Sequence, residues 1–278
     1  MTTVVITGAT GFLGSFLMAH LANKGLNMIP VTRQALPGMH QVQDYSHSPS
    51  GDVLIHLAEE PDRGTANRLG EKYVLHSANV IKALSGRSSY QKIIYASSAT
   101  VYGNENVGLC RIDKSVSGTD VYSRSKLLNE QIVLDAGGCV ARLSNIFGSG
   151  MASNNVLSDI IRQIPNSGPL HVRDDKPVCD FLPAPDAVSA LGLMVKSNYG
   201  GIMNVGSGIG TSVRTLAKTL LVLSGQADRE VLAMTPSSKP SRNVLDISET
   251  KKILGWMPEF SLQDQLSKLL LSWNQASQ

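Results

Sequence analysis

The sequence lacks the features that mark membrane, secreted and metal-binding proteins. No apolar run is long enough to span a bilayer, and no basic region followed by a signal-type apolar run stands at the N-terminus. The cysteines are few and far apart, and no set of histidines, cysteines and acids has metal-ligand spacing. We therefore predict a cytoplasmic protein with reduced thiols and no metal, in which His56 is a buried core residue.

Charge and aromatic residues are also scarce. The formal net charge is only +3, aromatic residues make up 5% of the chain, and no basic run stands out. A nucleic-acid surface needs clustered cations, and a single-strand platform needs rings on which bases stack. We therefore expect neither nucleic acid nor a membrane as a partner. The apolar fraction of 42% is sufficient for a sizeable core in a chain of 278 residues.

Apolar, strand-like runs alternate with helical patterns in the first half of the chain. The strand-like runs lie at 4–8, 27–33, 52–58, 92–98 and 139–144. The helical patterns lie at 15–24, 66–84 and 121–135. The runs are continuously apolar, so each strand should be buried on both faces. This alternation predicts an α/β fold with a Rossmann-like, doubly wound parallel sheet that binds ligands at the carboxyl ends of its strands.

The rhythm changes after about residue 148, where glycine, serine, asparagine and proline cluster. Further helices are predicted at 155–164, 185–196, 212–224, 248–254 and 261–272. Short strand candidates lie between them. We predict a dinucleotide-binding domain over residues 1–150 and a smaller mixed α/β lobe over residues 151–278, with part of the later chain returning to the first domain.

Three glycines follow the first strand-like run in the segment GATGFLG. Gly8 permits a tight turn, Gly11 lets the backbone approach a bound group because it has no Cβ, and Gly14 lets the next helix pack closely on the strand. The N–H groups at the start of that helix would point at a phosphate. The pattern alone fits an ordinary glycine-rich turn as well as a dinucleotide site.

Reactive side chains follow other strand-like runs. YASSATVYG places Ser98 at a strand end, and ARLSNIFG offers Arg142 and Asn145 at another. VYSRSKLLNE places Tyr122 and Lys126 four residues apart, on one face of a helix. A lysine beside a tyrosine favours the phenolate and makes Tyr122 a usable acid or base. Each residue alone could be a cap or a surface pair, but the combination indicates a catalytic site.

In these segments the chain resembles the extended short-chain dehydrogenase/reductases that act on nucleotide sugars. GATGFLG is similar to the family's cofactor fingerprint, HLA (56–58) to its strand-end motif, and YSRSK to its Tyr-x-x-x-Lys motif. The likeness continues through DFLPAPDAVSAL, MNVGSGIGTSVRTLA and LDISETKKILGWMPEFSLQDQL. It implies an NAD(P)-dependent enzyme, a nucleotide-diphosphate sugar as substrate, and a homodimer built from the helices at 66–84 and 121–135.

The resemblance also implies roles by position. Tyr122 would be the catalytic acid/base, Lys126 would hold the nicotinamide ribose, and Ser98 would bind the substrate oxygen at the reacting carbon. Asn145 and Arg242 would bind the substrate's diphosphate. The implied cofactor-binding residues are Gly8, Thr10, Gly11, Phe12, Leu13, Gly14, Leu57 and Ala58, together with Tyr122 and Lys126.

The second strand-like run ends in VTR, with Arg33 and no acid. An acid at this position usually holds the ribose 2′-hydroxyl of NAD, whereas an arginine suits the 2′-phosphate of NADP. We therefore expect NADP(H) as the preferred cofactor, with NAD(H) as the alternative if Arg33 merely stacks on the adenine. Asp44, in QDYS, is the candidate for the adenine edge.

The two residues after Ser98 argue against a 4,6-dehydration, which is one reaction of the family. The family's 4,6-dehydratases have an acidic pair there, whereas this chain has Ala99 and Thr100. The leading hypothesis is an NADPH-dependent reductase of a nucleotide-linked 4-keto-(6-deoxy) sugar, with Tyr122 as proton donor. The alternative is an NAD-dependent nucleotide-sugar 4-epimerase. A non-catalytic NADP-binding sensor ranks lower, because Tyr122 and Lys126 are both present.

Several positions depart from the family pattern. The segment 44–52 is too short for a full crossover helix, which parallel strands normally need. Either that helix is replaced by a bare loop, or the third strand lies elsewhere. Tyr73 stands where the family often has an asparagine, and Cys179 where many members have an arginine. Glu59 and Glu60 make the loop after HLA unusually charged. We expect both to be solvated surface charges, and the alternative is that they shape the sugar pocket.

Overall fold

The computed structural model describes residues 1–86, 90–106, 108–238 and 241–276. Its strands are β1 (Thr3–Thr7), β2 (Asn27–Thr32), β3 (His40–Gln41), β4 (Val53–His56), β5 (Lys92–Ser98), β6 (Cys139–Leu143), β7 (Asn145–Phe147), β8 (Leu170–Val172), β9 (Val178–Pro183), β10 (Gly201–Val205), β11 (Gly210–Ser212), β12 (Val231–Ala233) and β13 (Arg242–Asn243). Its helices are α1 (Phe12–Leu21), α2 (Arg63–Leu69), α3 (Glu71–Ser85), α4 (Val121–Asp135), α5 (Val156–Gln163), α6 (Ala184–Lys196), α7 (Val213–Leu223), α8 (Ser248–Leu254) and α9 (Leu262–Ala276).

Seven of these strands form one parallel sheet, in the order β10-β6-β5-β4-β1-β2-β3. The chain adds β2 and β3 on one side of β1, and then returns to add β4, β5 and β6 on the other side. The predicted Rossmann-like, doubly wound sheet is therefore confirmed. The reversal leaves a crevice at the carboxyl ends of β1 and β4, which is where such sheets bind ligands.

Helices cover both faces of this sheet, and successive residues of each strand supply two cores. On β1, Val4 and Ile6 belong to the core with Leu17 of α1, whereas Val5 belongs to the core with Ile81 of α3. All five side chains are buried. Burial of each such side chain stabilises the fold by about 1.5–3 kcal/mol. The strand sequences are continuously apolar because neither face meets water.

The helix predicted over 66–84 is two helices, α2 and α3, which meet at Gly70. Gly70 has a φ of +62°, a value that interrupts a right-handed helix and favours glycine. The helix predicted over 121–135 has those bounds in the structure. The break between α2 and α3 matters for the site, because it lets Asn67 of α2 form hydrogen bonds with Tyr122 and Asp120 at the start of α4.

The segment between β3 and β4 has no crossover helix. A 3₁₀ turn over Tyr45–His47 is followed by Asp52, whose backbone N–H donates to the carbonyl of Thr3 at 2.9 Å. β3 pairs with β2 at the edge of the sheet, whereas β4 lies on the other side of β1. The short segment between β3 and β4 therefore makes the crossing that a helix would normally make. At the end of β2, the guanidinium of Arg33 lies over the ring of Tyr45, which belongs to this 3₁₀ turn.

The later chain forms a second layer of structure and also returns to the large sheet. Strands β7, β9, β11 and β13 form one small sheet, β8 pairs with β12, and α5, α7 and α9 contribute to a separate core. β10 extends the large sheet beside β6, and α6 packs on α1. In the described part of the chain, no helix combines the length and apolarity that crossing a membrane requires.

Candidate active site

The turn between β1 and α1 is built around two glycines. Gly8 has a φ of +71°, which side chains other than glycine rarely adopt. A Cβ at Gly14 would overlap the carbonyl oxygen of Gly8 and lie 2.8 Å from the Cα of Ala9. Within the described residues, no side chain caps α1 at Gly11, so the first N–H groups of the helix remain available. The turn therefore forms a cradle for an anion at a helix N-terminus.

A cavity of about 680 Å³ opens from this turn. The predicted cofactor-binding residues that line it are Gly8, Thr10, Gly11, Phe12, Leu13, Gly14, Arg33, Leu57 and Ala58. It is also lined by residues that the sequence did not single out for this role, including Tyr45, Tyr73, His76 and Ser77. The other predicted cofactor-binding residues, Asp44, Tyr122 and Lys126, are not among the lining residues. The cavity follows the carboxyl edge of the sheet from β2 across β1 to β4.

One end of the cavity carries basic and aromatic groups. The guanidinium of Arg33 lies 5.7 Å from the ring centroid of Tyr45, and His76 lines the same region. Asp44 Oδ1 accepts a hydrogen bond from the N–H of Ser46 at 2.8 Å, and its Oδ2 lies 3.7 Å from His76 Nε2. The hydrogen bonds from Ser46 hold the pKa of Asp44 below its usual value.

Helix α4 carries Tyr122 and Lys126, and its first turn is tightly held. Asp120 caps the helix through the N–H of Ser123 at 2.8 Å, and Ser123 returns a bond to the N–H of Asp120. Asn67 of α2 accepts from the N–H of Tyr122 at 3.0 Å. Arg63 also pairs with Asp120. Although burial opposes it, hydrogen bonds from Ser123 and the other donors lower the pKa of Asp120 to about 2.

Lys126 is buried, and its ammonium makes two close hydrogen bonds. Its Nζ lies 2.5 Å from Glu59 Oε2 and 2.9 Å from the carbonyl oxygen of Ala96 on β5. It also lies 5.6 Å from the ring centroid of Tyr122, so the predicted pair is brought together. Burial alone would lower the pKa of Lys126, but Glu59 and the neighbouring tyrosines hold it above its usual value.

Glu59 is not the solvated surface charge that was expected, because its side chain is only 7% exposed. Its Oε1 accepts hydrogen bonds from Ser77 at 2.8 Å and from Asn129 at 2.6 Å, and both of its oxygens lie 2.9 Å from the donating hydroxyl of Tyr95. Burial alone would raise the pKa of Glu59, but Lys126 and these hydrogen bonds hold it below its usual value.

The remaining candidates lie on neighbouring strand ends. Ser98 Oγ, at the end of β5, accepts from the N–H of Thr100 at 3.2 Å and from its hydroxyl at 3.0 Å. Asn145 starts β7 and donates to the carbonyl of Asp180 at 3.0 Å. Arg242 lies on β13, which pairs with β9, as does β7. Its Nε is buried and has no hydrogen-bond partner within the described residues.

Arg142 is not available to a ligand, although its position at a strand end made it a candidate. Its Nη2 lies 2.7 Å from Glu130 Oε2 and its Nε lies 3.0 Å from Glu130 Oε1. Its Nη1 donates to the hydroxyl of Tyr102 at 2.9 Å. Both charged side chains are buried, so the ion pair fixes α4 to β6 and leaves Asn145 as the exposed polar group of that segment.

The nearby histidine and tyrosine do not supply a base at neutral pH. His56 Nδ1 lies 2.9 Å from the hydroxyl of Thr7, and burial lowers the pKa of His56 to about 4. Its prediction as a buried, hydrogen-bonded core residue is confirmed. Burial, together with the charge of Glu59, raises the pKa of Tyr73. The structure thus leaves Tyr122, beside Lys126, as the candidate acid/base of this region.

Comparison with known proteins decides the family. The sequence model of the NAD dependent epimerase/dehydratase family matches residues 4–206, which is most of the chain. The chain belongs to this family. The predicted family and enzyme class are thus confirmed: the protein is an NAD(P)-dependent enzyme of the extended short-chain dehydrogenase/reductase type.

The family includes similar proteins with different reactions. The chain is 24% identical to a UDP-glucose 4-epimerase from Azospirillum brasilense, over 98% of this chain and 92% of the relative. It is 27% identical to a GDP-6-deoxy-D-mannose reductase from Pseudomonas aeruginosa, over 96% of each chain. A solved structure of RMD from Pseudomonas aeruginosa complexed with NADPH has a TM-score of 0.86 and 24% identity, covering 99% of this chain and 100% of that chain. This structural likeness shows the shared fold.

The family's dinucleotide fits the residues present. The Gly8–Gly14 cradle would take the pyrophosphate, because a Cβ at either glycine would strain or fill it. The cavity extends from the cradle in both directions along the edge of the sheet. The Arg33 end and the Glu59 end lie on opposite sides of β1, so each could receive one nucleoside of a family cofactor.

Proposed function

We propose that this family member is an NADPH-dependent reductase of a nucleotide-linked 4-keto-(6-deoxy) sugar. The observation that carries the cofactor preference is Arg33, whose guanidinium lies over Tyr45 beside the cavity, at a strand end that has no carboxylate. A guanidinium pairs strongly with a phosphate, whereas an acid would hold a ribose hydroxyl. NADPH is the cofactor that carries the additional 2′-phosphate.

The residues of α4 and β5 would perform the proton chemistry. When bound, the nicotinamide supplies the hydride for the keto carbon. Tyr122 donates the proton to the substrate oxygen, and Ser98 holds that oxygen by a hydrogen bond. Lys126 binds the ribose with its remaining N–H and stabilises the phenolate that Tyr122 becomes. A dehydration would need acids beside Ser98, where Ala99 and Thr100 stand.

The substrate would lie across the neighbouring strand ends, under the later chain. Asn145 is exposed there, and Arg242 has a buried Nε without a hydrogen-bond partner in the described chain. A buried guanidinium N–H that is left unpaired costs free energy, and a diphosphate would satisfy it. These two residues support a nucleotide-diphosphate sugar as the substrate. Cys179 adds no charge at this point, because burial raises the pKa of its thiol to about 11.

The second candidate is an NAD-dependent nucleotide-sugar 4-epimerase. The similarity to the Azospirillum brasilense enzyme over nearly the whole chain favours it. Such an enzyme would use the same Ser98, Tyr122 and Lys126, and it would return the hydride to the other face of the sugar. The cofactor that the protein retains during turnover separates the two reactions, since an epimerase regenerates its cofactor within each cycle.

The decisive experiment titrates the purified protein with NADPH and NADH and inspects it for bound nicotinamide. We expect NADPH to bind at least about tenfold more tightly, since a charge-assisted arginine–phosphate pair is worth about 1.5–3 kcal/mol. Arg33→Gln should remove this preference. Arg111→Gln, which removes an exposed arginine beside Asp113, serves as the control and should retain it. Tightly retained NAD would instead support the epimerase.

Turnover is then measured as NADPH consumption with a panel of 4-keto nucleotide sugars. Tyr122→Phe should lower kcat about 10²–10⁴-fold while NADPH still binds, because only the proton donor is removed. Full activity of Tyr122→Phe would contradict the assigned role. A protein that binds NADPH but reduces none of these sugars, with biological activity intact in Tyr122→Phe, would support the sensor hypothesis.

A further inference from the structure

A buried carboxylate at the Lys126 end of the cavity is not used in the proposed reaction. Glu59 directly follows the HLA segment, lines the cavity and forms an ion pair with Lys126 at 2.5 Å. Both side chains are only 7% exposed, so water screens neither charge strongly. The proposed reaction asks Lys126 to act on Tyr122 and on the cofactor, but the structure presents Lys126 as half of a neutral pair.

The hydrogen bonds around Glu59 hold its carboxylate in place. Ser77 of α3 and Asn129 of α4 donate to Oε1, and the hydroxyl of Tyr95 on β5 is shared between the two oxygens. The carboxylate thus joins two helices and a strand. Because its hydrogen-bond partners are donors, they favour the ionised form, and Glu59 remains the fixed negative partner of Lys126.

The same contacts limit what Lys126 can offer to a ligand. An ammonium has three N–H donors. One of those of Lys126 is directed to Glu59 Oε2 and another to the carbonyl of Ala96. Within the described residues, one N–H is left for a bound group. Lys126 can therefore bind one ribose oxygen and act at short range on Tyr122, whose ring centroid lies 5.6 Å away, while Glu59 largely cancels its charge at longer range.

We propose that Glu59 is the counter-ion that cancels the charge of Lys126 and thereby sets the relative affinity for oxidised and reduced cofactor. This inference rests on the proposed function, in which the nicotinamide end of the dinucleotide lies on the β4 side of β1. The oxidised nicotinamide ring carries a positive charge and the reduced ring is neutral. An unpaired Lys126 would repel the oxidised ring, whereas the Glu59–Lys126 pair tolerates it. Glu59 is thus a positioning residue and does not exchange protons with the substrate.

The test compares equilibrium dissociation constants for NADP⁺ and NADPH at pH 7, measured by calorimetry, without turnover. Glu59→Gln keeps the shape of the side chain and removes its charge. We expect the ratio Kd(NADP⁺)/Kd(NADPH) to rise about tenfold, since one charge acting over roughly 10 Å at an effective permittivity of about 20 has an effect of that order. An unchanged ratio in a folded Glu59→Gln variant that binds both forms would overturn the proposal.

Ser77→Ala is the matched control, because it removes one hydrogen bond to the same carboxylate and leaves the charge. Its ratio should stay within about twofold of that of the wild type. A tenfold change in Ser77→Ala would assign the effect to local structure and refute the charge argument.

A double variant keeps the test usable if Glu59→Gln does not fold. Glu59→Gln combined with Lys126→Met removes both charges, so no buried charge is left unpaired. The ratio in this variant should return to within about threefold of the wild-type value, although turnover is lost. A ratio that remains far from it would overturn the proposal. If the wild-type protein binds neither NADP⁺ nor NADPH, it is the proposed function that fails.

Discussion

Substitution of Gly14 by alanine should damage the cofactor cradle more than it damages the fold. A Cβ at this position would overlap the carbonyl oxygen of Gly8 and lie 2.8 Å and 2.9 Å from backbone atoms of Ala9. These neighbours are backbone, so no side-chain rotation relieves the overlap. The first turn of α1 must move away from the β1 turn, and its N–H groups move with it.

The magnitude combines two opposing effects. Overpacking of this kind costs about 1–3 kcal/mol, and the better helix propensity of alanine returns up to about 1 kcal/mol. We therefore expect Gly14→Ala to lower the free energy of unfolding by about 1–2 kcal/mol. Dinucleotide affinity should fall by more than about tenfold, because a displaced helix N-terminus loses several hydrogen bonds to the phosphates, each worth about 1 kcal/mol or more.

Urea denaturation and NADPH titration measure these two quantities separately. Gly64→Ala in α2 is the control, because this helical glycine has space for a Cβ, with Asp62 Oδ1 as the nearest atom at 3.5 Å. It should be stabilised by about 0.5–1 kcal/mol and should bind NADPH as the wild type does. Wild-type stability and affinity in Gly14→Ala would refute the close packing of α1 on the turn.

Three further substitutions test the folded state around the site. Between pH 6.5 and 4 the unfolded chain binds a proton at His56 that the folded chain excludes, so the free energy of unfolding falls as the pH falls. When the pH is lowered from 7 to 5, urea titrations should show that the free energy of unfolding of His56→Asn falls by about 2 kcal/mol less than that of the wild type. Arg142→Met leaves the carboxylate of Glu130 buried and unpaired, and should lower the free energy of unfolding by about 3–5 kcal/mol in the same assay. Adding Glu130→Gln should restore more than half of this loss, and no recovery would contradict the charge argument. Asp120→Ala removes the cap of α4 and should cost about 1–2 kcal/mol and speed amide exchange at Ser123. Asp120→Asn keeps a capping oxygen but loses the pair with Arg63, so it should cost less than Asp120→Ala and leave amide exchange at Ser123 nearly unchanged.

The sequence predicts those parts of the fold that depend on local pattern. The buried strands appear as continuous apolar runs, and the bounds of α4 are correct because Asp120 is a strong N-cap. The break between α2 and α3 was missed, because Gly70 interrupts an otherwise helical pattern and a single glycine is tolerated in many helices. The length of the segment 44–52 excludes a full crossover helix, but it does not by itself distinguish a bare loop, which the structure has, from a misplaced third strand.

The site was predictable where its residues belong to one strand, turn or helix. The cradle is such a feature, and so is the spacing of Tyr122 and Lys126. Glu59 could not be placed in this way, because its burial depends on Ser77 and Asn129, which lie 18 and 70 positions away in sequence. The charge of the loop after HLA and the helices that carry Ser77 and Asn129 were visible in the sequence, but the packing of these helices against Glu59 was not.

The charges along α4 explain how Tyr122 is oriented. Tyr122, Lys126 and Glu130 follow at intervals of four residues and therefore share one face of the helix. Lys126 is fixed by Glu59 and by the carbonyl of Ala96, while Glu130 is fixed by Arg142. Rotation or a one-residue slip of α4 would leave two buried charges of opposite sign unpaired, at a cost of several kcal/mol each.

Apolar packing alone would fix α4 less firmly. The helix buries largely polar side chains, including Ser123, Ser125 and Asn129 in addition to the two charges, and Val133 is its buried apolar residue. A polar face of this kind tolerates few alternative arrangements, because the two buried charges and the side-chain N–H of Asn129 each need a particular partner. The rotational setting of α4 is therefore determined by the ion pairs Lys126–Glu59 and Glu130–Arg142, and the ring of Tyr122 is held beside Lys126 by the same contacts.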